Sequence, residues 1–270
     1  MKKRIITAVV AIALFIPICW FSYTIVYPIA MAILCGIGVF EIAKCLGFHK
    51  NFVLTVPMYI VAIGLPVLRI FVDKNSYLLS FAMLALFFVL IYFLAYVMLR
   101  KNKDKLSDIM TLYALFVYVV GCFTSIVALR YLADGQYKYL LVFVGAWVCD
   151  TFAYFTGRFF GKHKLIPEIS PKKTIEGSIG GIVFTIGGFV LYGYIIKSVF
   201  NYQMSYWQLA ALGFVISIVS QIGDLIASAI KRQYGIKDYG FVFPGHGGVL
   251  DRFDSVMLTA PVLYVAFLVL

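Results

Sequence analysis

Residues 5–40 read IITAVVAIALFIPICWFSYTIVYPIAMAILCGIGVF, a stretch of 36 residues without a charged side chain. As one α-helix it would be about 54 Å long, whereas the hydrocarbon core of a bilayer is about 30 Å thick. Pro17 and Pro28 interrupt the run, and proline breaks or kinks a helix. The stretch therefore predicts two helices, near 5–23 and 26–44. Basic residues precede the first helix and no small-x-small cleavage site follows it, which predicts a retained signal anchor.

The rest of the chain repeats this pattern of long apolar runs. Seven more runs carry no charge or a single one: 51–68, 75–99, 109–129, 139–157, 178–196, 198–223 and 255–270. Hydrophobic residues make up 63% of the chain and charged residues 13%, whereas a soluble domain is about half apolar and about a quarter charged. We therefore predict an all-α, polytopic integral membrane protein with about nine transmembrane helices. Residues 1–270 are predicted to form a single membrane unit, in which 1–137 are N-terminal transmembrane helices.

The positions of lysine and arginine test this count, because cytoplasmic loops of membrane proteins are enriched in them. When successive loops are assigned alternately to two sides, 18 of the 23 basic residues fall on the side of the N-terminus. The other side receives Arg69, Lys74, Arg130, Lys138 and Lys197. This asymmetry predicts a multi-pass protein of the inner (plasma) membrane. Its N-terminus and the loops 157–177 and 231–254 are expected in the cytoplasm, and its C-terminus outside.

The net charge of +11 and the five cysteines restrict the function further. In so apolar a chain, basic residues are typical of cytoplasmic loops and of sites for anionic groups, so we expect no nucleic-acid partner. The cysteines are scattered and show no CxxC or Cys/His spacing. They are predicted to be free thiols, which argues against a zinc site or a disulfide framework.

Asp150 is the first candidate for a functional residue, since it is the only charged side chain in the run 139–157. An ionisable side chain inside a membrane span is costly and is usually functional. The alternative is a structural ion pair with a basic neighbour such as Arg158.

The second candidate is the cytoplasmic stretch ISPKKTIEGSIGG, residues 169–181. Its serine–proline pair predicts a turn, and Thr174 is expected to cap a helix that begins at Ile175. One hydroxyl and two ammonium groups precede that helix: Ser170, Lys172 and Lys173. Such a helix N-terminus is a natural phosphate site. Nonspecific contact of a basic loop with anionic headgroups fits the same pattern.

The third candidate is QIGDLIASAIKRQYGIKDYGFVFPGHGGVLDRFD, residues 221–254. Asp224 is expected in the cytoplasmic part of the eighth span, with a lysine–arginine pair about two turns later. Asp251 and Asp254 are predicted to share one face at the start of the last span, where the helix dipole favours carboxylates. Three glycines let the backbone approach a ligand: Gly245, Gly247 and Gly248. Carboxylates near basic groups fit a magnesium ion bound to substrate phosphates.

The stretch Ser228–Asp254 resembles the signature of the phosphatidate cytidylyltransferases, also called CDP-diacylglycerol synthases. SPKKTIEG, at Ser170–Gly177, is similar to a second block of that family, with Ile175 where tryptophan is expected. DTFAYFTGR, at Asp150–Arg158, is similar to the family as well. Residues 138–270 are therefore expected to form the catalytic membrane region, with the signature at 228–254.

The resemblance implies transfer of a cytidylyl group from CTP to phosphatidic acid, which gives CDP-diacylglycerol and pyrophosphate. It also implies Mg²⁺ (or Mn²⁺), a second cation such as K⁺, contact with membrane lipids and a homodimer. The metal ligands that it implies are Asp224 and Asp251, supported by Asp254. The catalytic residues that it implies are Asp224, Asp251, Lys231 and Arg232. The substrate-binding residues that it implies are Ser170, Lys172, Lys173, Ser228, Lys237, His246, Arg252 and Asp150.

Three other functions fit parts of the pattern. An ion or solute transporter would use Glu41, Asp150 and Asp224 as coupling sites, but it predicts repeated halves and carboxylates near the midplane. An aspartyl intramembrane protease would use Asp150 and Asp224, and it would leave residues 228–254 without a role. A related CTP-dependent enzyme would act on another acceptor, such as a polyprenol or an archaeal ether lipid.

Overall fold

The structure is a computed structural model that describes residues 2–72, 75–99 and 105–270. Within these ranges the chain forms eleven helices and two short strands, in the order α1 (Lys2–Trp20), α2 (Val26–Cys45), α3 (Phe52–Leu68), α4 (Asn75–Leu99), α5 (Leu106–Arg130), α6 (Gly135–Lys138), α7 (Leu140–Phe160), β1 (Lys164–Ile166), β2 (Ser170–Thr174), α8 (Ile175–Phe200), α9 (Tyr206–Gln233), α10 (Leu250–Phe253) and α11 (Val256–Val269). Four basic residues of the charge count lie outside the described residues: Lys74, Arg100, Lys101 and Lys103.

Long apolar helices dominate the described part of the chain, which confirms the prediction of a mostly helical membrane protein. Six segments there are long and apolar enough to cross a bilayer: α2, residues 77–99, α5, residues 135–160, α8 and α9. Three shorter apolar helices lie at residues 9–20, in α3 and in α11. Each of these segments overlaps one of the predicted runs. That the chain crosses the membrane nine times stays a prediction.

Two local expectations are wrong. The run 198–223 is not one helix, because Asn201 adopts a left-handed conformation (φ 53°) that ends α8, and α9 begins only at Tyr206. The serine–proline pair at residues 170–171 begins strand β2 instead of forming a turn. Strand β2 pairs antiparallel with β1, so a small hairpin joins α7 to α8 and the fold is not purely α.

Contacts divide the chain into two compact units. The first comprises the residues up to Leu132 together with Ile236–Arg252, and in it α2 packs against α3 and α5. The second comprises Ala133–Gly235 and Phe253–Leu270, and in it α7 packs against α8, which also contacts α9. Helix α11 packs against α9 and α7. The predicted division of the chain at residue 137 stays a prediction.

Helices α7 and α8 of the second unit approach closely because small residues face each other. A Cβ at Gly177 would lie 2.7 Å from the carbonyl oxygen of Ala153, so only glycine fits there. Gly181 follows one turn later, which completes the small-xxx-small spacing typical of closely packed membrane helices. Phe152 and Phe184 stack with ring centroids 4.0 Å apart. This packing fixes α7, and Asp150 on it, against α8.

Candidate active site

The hairpin before α8 is fixed to the first turn of that helix. The Thr174 side chain accepts a hydrogen bond from the backbone N–H of Gly177 at 3.1 Å, which confirms the predicted cap. The N–H of Ile175 donates to the carbonyl oxygen of His163 at 2.9 Å. His163 Nδ1 lies 2.7 Å from Glu176 Oε1. These contacts fix the position of strand β2 and therefore of the two lysines in it, Lys172 and Lys173.

The two lysines of β2 have different surroundings. Lys172 is exposed, whereas Lys173 is about one quarter exposed and its Nζ lies 2.7 Å from Asp224 Oδ2. On α9, Ser228 follows Asp224 by one turn, and its hydroxyl donates to Asp224 Oδ1 at 3.4 Å. Both carboxylate oxygens of Asp224 are therefore oriented by predicted substrate-binding residues.

Asp150 and Asp254 both bind Ser255, one through its hydroxyl and the other through its backbone N–H. Ser255 Oγ donates to Asp150 Oδ2 at 2.7 Å, and the backbone N–H of Ser255 donates to Asp254 Oδ1 at 2.9 Å. Arg158, the alternative partner of Asp150, donates to the hydroxyl of Tyr154 at 3.1 Å. Gly223 permits the close approach of α9, since a Cβ there would lie 2.7 Å from the carbonyl oxygen of Asp254.

Negative charge accumulates at this point of the second unit. Burial raises the pKa of Asp254 from 3.8 to about 7, with further contributions from the carboxylates of Asp224 and Asp150, while Lys231 acts in the opposite direction. Burial and two neighbouring carboxylates both disfavour the charged form of Asp254, and Lys231 does not offset them. A cation bound beside these carboxylates would offset their charge.

Two protein carboxylates fit a cation that takes its remaining ligands from water and substrate. Among the described residues, no three His, Cys, Asp or Glu side chains come together as a ready-made metal cage. Magnesium typically takes only one or two carboxylates and completes its shell with water and substrate phosphates. Asp224 and Asp254 fit that pattern. Of the other predicted residues in this unit, Ser170 and Lys231 are half-buried and Arg232 is exposed.

The first unit contains the glycine-rich loop, residues 239–251. Asp251 is buried, and its Oδ2 accepts the backbone N–H groups of Tyr239 at 2.8 Å and Gly248 at 2.9 Å. The predicted flexibility of the glycines is used at Gly245 and Gly247, whose φ angles are 79° and 86°.

Three more predicted site residues lie in or beside this loop. The Nδ1 of His246 is buried and forms no hydrogen bond within the described residues, while Lys237 and Arg252 are exposed. The prediction that Asp251 and Asp254 share the first turn of the last helix is wrong: α10 ends at Phe253, Asp254 follows it in a turn, and α11 begins at Val256. Their roles as metal ligands, and the roles of the other predicted residues, stay predictions.

Glu41 of α2 contacts the same loop and was not among the predicted site residues. It is 1% exposed, and its two carboxylate oxygens accept the N–H groups of Val249 and Leu250, each at 2.9 Å. The sequence contains a signal for it, since Glu41 is the only acidic residue in the largely apolar helix α2. Ser255 was missed as well, and nothing in the sequence distinguishes it from other serines.

Comparison with known proteins shows which family the chain belongs to. A family model described as the cytidylyltransferase family matches residues 2–270. The chain is 32% identical over 263 residues to a phosphatidate cytidylyltransferase of Staphylococcus haemolyticus. It is 34% identical over 263 residues to the phosphatidate cytidylyltransferases of Staphylococcus epidermidis and Staphylococcus aureus. Each of these matches covers 97% of this chain and 97% of the relative.

Proposed function

The chain belongs to the cytidylyltransferase family, and we propose that it transfers the cytidylyl group of CTP to phosphatidic acid, forming CDP-diacylglycerol and pyrophosphate. The names of its relatives support this substrate pair and favour it over a transporter or a protease. The structural observation that carries the proposal is the group formed by Lys173, Asp224, Asp254 and Asp150, because it combines a cationic side chain with a place for a metal ion.

The chemistry explains why such a group is needed. A phosphate oxygen of phosphatidic acid forms a bond to the α-phosphorus of CTP, and the bond from that phosphorus to the bridging oxygen of pyrophosphate breaks. The nucleophile is already an anion, so no side chain has to remove a proton from it. Both substrates are negatively charged and repel each other. The protein therefore has to offset charge and align the reacting groups.

Asp224 and Asp254 are the residues of the second unit that would hold a magnesium or manganese ion. When bound, such an ion supplies a Lewis acid that offsets charge on phosphate oxygens. Lys173 orients the Asp224 carboxylate, and Ser255 holds Asp254 and Asp150 together. We propose Asp251 as a further ligand on the family resemblance, and a monovalent cation such as potassium as a second ion.

The cationic residues are proposed to bind the substrates. Lys172, Lys173, Lys231 and Arg232 would contact the phosphates of CTP or of the lipid, with Ser170 and Ser228 donating hydrogen bonds. Lys237, His246 and Arg252 would stabilise the pyrophosphate leaving group. Point charges and hydrogen-bond donors aimed at phosphate oxygens stabilise the charge that develops during phosphoryl transfer.

The location of the protein follows from its substrates and its charge distribution. CTP is cytosolic, and the predicted site residues lie on the lysine-rich side of the predicted topology. We propose a multi-pass protein of the plasma membrane with the active site and N-terminus in the cytoplasm, the C-terminus outside, and a homodimeric assembly. A reporter fused to the C-terminus is expected to be accessible from outside the cell; a cytoplasmic signal would contradict nine spans.

The proposed reaction is tested with the full chain purified in detergent. With labelled CTP, magnesium and phosphatidic acid, we expect CDP-diacylglycerol and pyrophosphate in equal amounts, and loss of both when EDTA is added. Asp224→Asn is expected to abolish turnover, whereas Glu168→Gln, which removes an exposed carboxylate from the hairpin, serves as the charge-matched control. If no CDP-lipid forms with any of several monovalent salts, the proposed reaction is wrong. Turnover with a polyprenol or an ether lipid in place of phosphatidic acid identifies another acceptor.

A further inference from the structure

We infer that Glu41 is a positioning residue of the active site: it holds the glycine-rich loop 239–251 in the shape that presents His246, Asp251 and Arg252 to the substrates. Glu41 belongs to α2, one of the apolar membrane helices, and it lies about 200 residues before the loop in the sequence. The inference rests on the proposed function, because the three presented residues act only if the chain is a cytidylyltransferase.

The contact uses both oxygens of the Glu41 carboxylate. Oε1 accepts the backbone N–H of Val249 and Oε2 accepts the N–H of Leu250, each at 2.9 Å. These two N–H groups stand at the start of α10, where a helix has no backbone acceptors of its own for them. A bidentate acceptor for two successive N–H groups fixes both the position and the orientation of the chain entering Asp251.

Two glycines of the loop make this contact possible. A Cβ at Gly240 would lie within van der Waals overlap of Glu41 Oε1, and so would a Cβ at Gly248. The backbone therefore closes around the carboxylate on two sides, and a side chain at either glycine would displace the carboxylate from this position. This requirement gives Gly240 and Gly248 a role that the turn angles of the loop do not explain, since neither residue has a positive φ.

Asp251 secures the other side of the loop. Its Oδ2 accepts the N–H groups of Tyr239 and Gly248, so two buried carboxylates together bind four backbone N–H groups. The bridge between Phe243 and Gly247 closes the intervening turn, and the N–H of His246 donates to the carbonyl oxygen of Phe243 at 2.8 Å. Hydrogen bonds therefore hold both ends of the loop and the turn between them.

A carboxylate is a costly way to fill a buried position in a membrane helix. Burial penalises the charged form, and an apolar side chain of similar volume would pack at lower cost. What the carboxylate offers instead is a geometrically specific pair of acceptors. Helix α2 also contacts the loop through Lys44, whose Nζ lies 5.5 Å from the ring centroid of Phe241. The cost is understandable if the geometry of the loop matters for the reaction.

The test compares Glu41→Gln with the wild-type enzyme and with Met58→Ala. Glutamine keeps one carbonyl acceptor, but its NH₂ group faces the second backbone N–H, so one charge-assisted hydrogen bond becomes a clash of two donors. Met58 is fully buried in α3 of the same unit, and Met58→Ala serves as a control for general destabilisation. Melting temperature, kcat, KM for both substrates, and hydrogen exchange at the amides of Val249 and Leu250 are measured for each protein.

We expect Glu41→Gln to lower kcat about 10–150-fold, the range corresponding to one hydrogen bond with a charged group. KM for CTP and phosphatidic acid is expected to change little, and exchange at Val249 and Leu250 to accelerate. Met58→Ala is expected to lower the melting temperature while kcat per folded enzyme and loop exchange stay near wild type. Gly240→Ala, which displaces the carboxylate without removing it, is expected to reproduce the kcat effect if Glu41→Gln fails to fold.

Two results overturn the inference. In the first, Glu41→Gln has the kcat of the wild type and the same hydrogen exchange at Val249 and Leu250. In the second, Glu41→Gln and Met58→Ala have equal melting temperatures, and Glu41→Gln loses no more kcat than Met58→Ala. Failure of the proposed function is distinguishable, because the wild-type enzyme then forms no CDP-lipid. In that case faster exchange at Val249 and Leu250 in Glu41→Gln still shows that Glu41 holds the loop, but the role in presenting catalytic residues falls with the proposed function.

Discussion

Asp224 is proposed to bind two cations, the ammonium group of Lys173 and a metal ion. The substitution Lys173→Met removes the first and so tests whether the two compete. In the structure Lys173 Nζ lies 2.7 Å from Asp224 Oδ2, and both side chains are 24% exposed. A metal ion bound through the same oxygen has to displace this ammonium group. Removing the lysine therefore leaves Asp224 beside the carboxylates of Asp254 and Asp150 with less positive charge, and metal binding no longer has to break an ion pair.

The expected magnitude follows from the geometry of the pair. A half-buried hydrogen bond between two charged groups contributes roughly 1.5–3 kcal/mol. Since about 1.4 kcal/mol corresponds to a tenfold change in an equilibrium constant, Mg²⁺ is expected to bind Lys173→Met about 10–150-fold more tightly than wild type in the absence of nucleotide. Turnover is expected to fall in the same variant, because Lys173 is also proposed to contact a substrate phosphate.

Titration calorimetry of the full chain in detergent measures the affinity for Mg²⁺ directly. Lys172→Met is the matched control, because it removes the same charge from the neighbouring, exposed position of β2. It is expected to change the affinity for Mg²⁺ little, since an exposed charge is screened by water and salt. If wild type and Lys173→Met bind Mg²⁺ equally well, or if both lysine variants gain the same affinity, then Lys173 and the metal ion do not compete for Asp224.

Three further predictions concern the same unit. Gly223→Ala is expected to cost about 1–3 kcal/mol of stability and to lower turnover, because its Cβ meets the backbone of Asp254, whereas Gly187→Ala, with open space around the Cβ, is the harmless control in melting experiments. Thr174→Ala is expected to cost about 1 kcal/mol through loss of the helix cap, and Thr174→Ser to retain most of that stability. The pKa of Asp254 is raised from 3.8 to about 7 in the folded protein. In EDTA, the free energy of unfolding is therefore expected to include a contribution that is present below pH 3.8 and is lost as the pH rises through 7. Asp254→Asn is expected to remove this pH dependence from the melting temperature.

The membrane helices could be predicted from the sequence because the pattern is local. Asn75–Leu99 and Phe52–Leu68 agree with the uncharged runs to within a residue, since the lack of charge marks where the chain can enter lipid. The cap at Thr174 was predicted for the same reason, as a side chain and an N–H three residues apart suffice for it. The start of α9 was not predicted, because the left-handed conformation of Asn201 cannot be inferred from the hydrophobicity of the surrounding run.

The composition of the candidate site could be predicted, but its pairings could not. Lys173 and Asp224 were both expected at phosphate or metal, yet nothing in the sequence indicates that they bind each other. Asp251 and Asp254 were expected on one helix face from their spacing, and the break after Phe253 separates them. The role of Ser255 as a link between Asp150 and Asp254 depends on contacts across more than 100 residues of chain.

Hydrophobic runs and motifs are properties of consecutive residues, so they were enough to identify a helical membrane protein, the distribution of its charge and the family that it resembles. The contacts of Lys173 with Asp224, of Ser255 with Asp150 and Asp254, and of Glu41 with the glycine-rich loop became evident from the folded chain alone. A buried carboxylate is stabilised by whichever donors the fold brings within about 3 Å of it. Those donors belong to segments that sequence spacing does not relate.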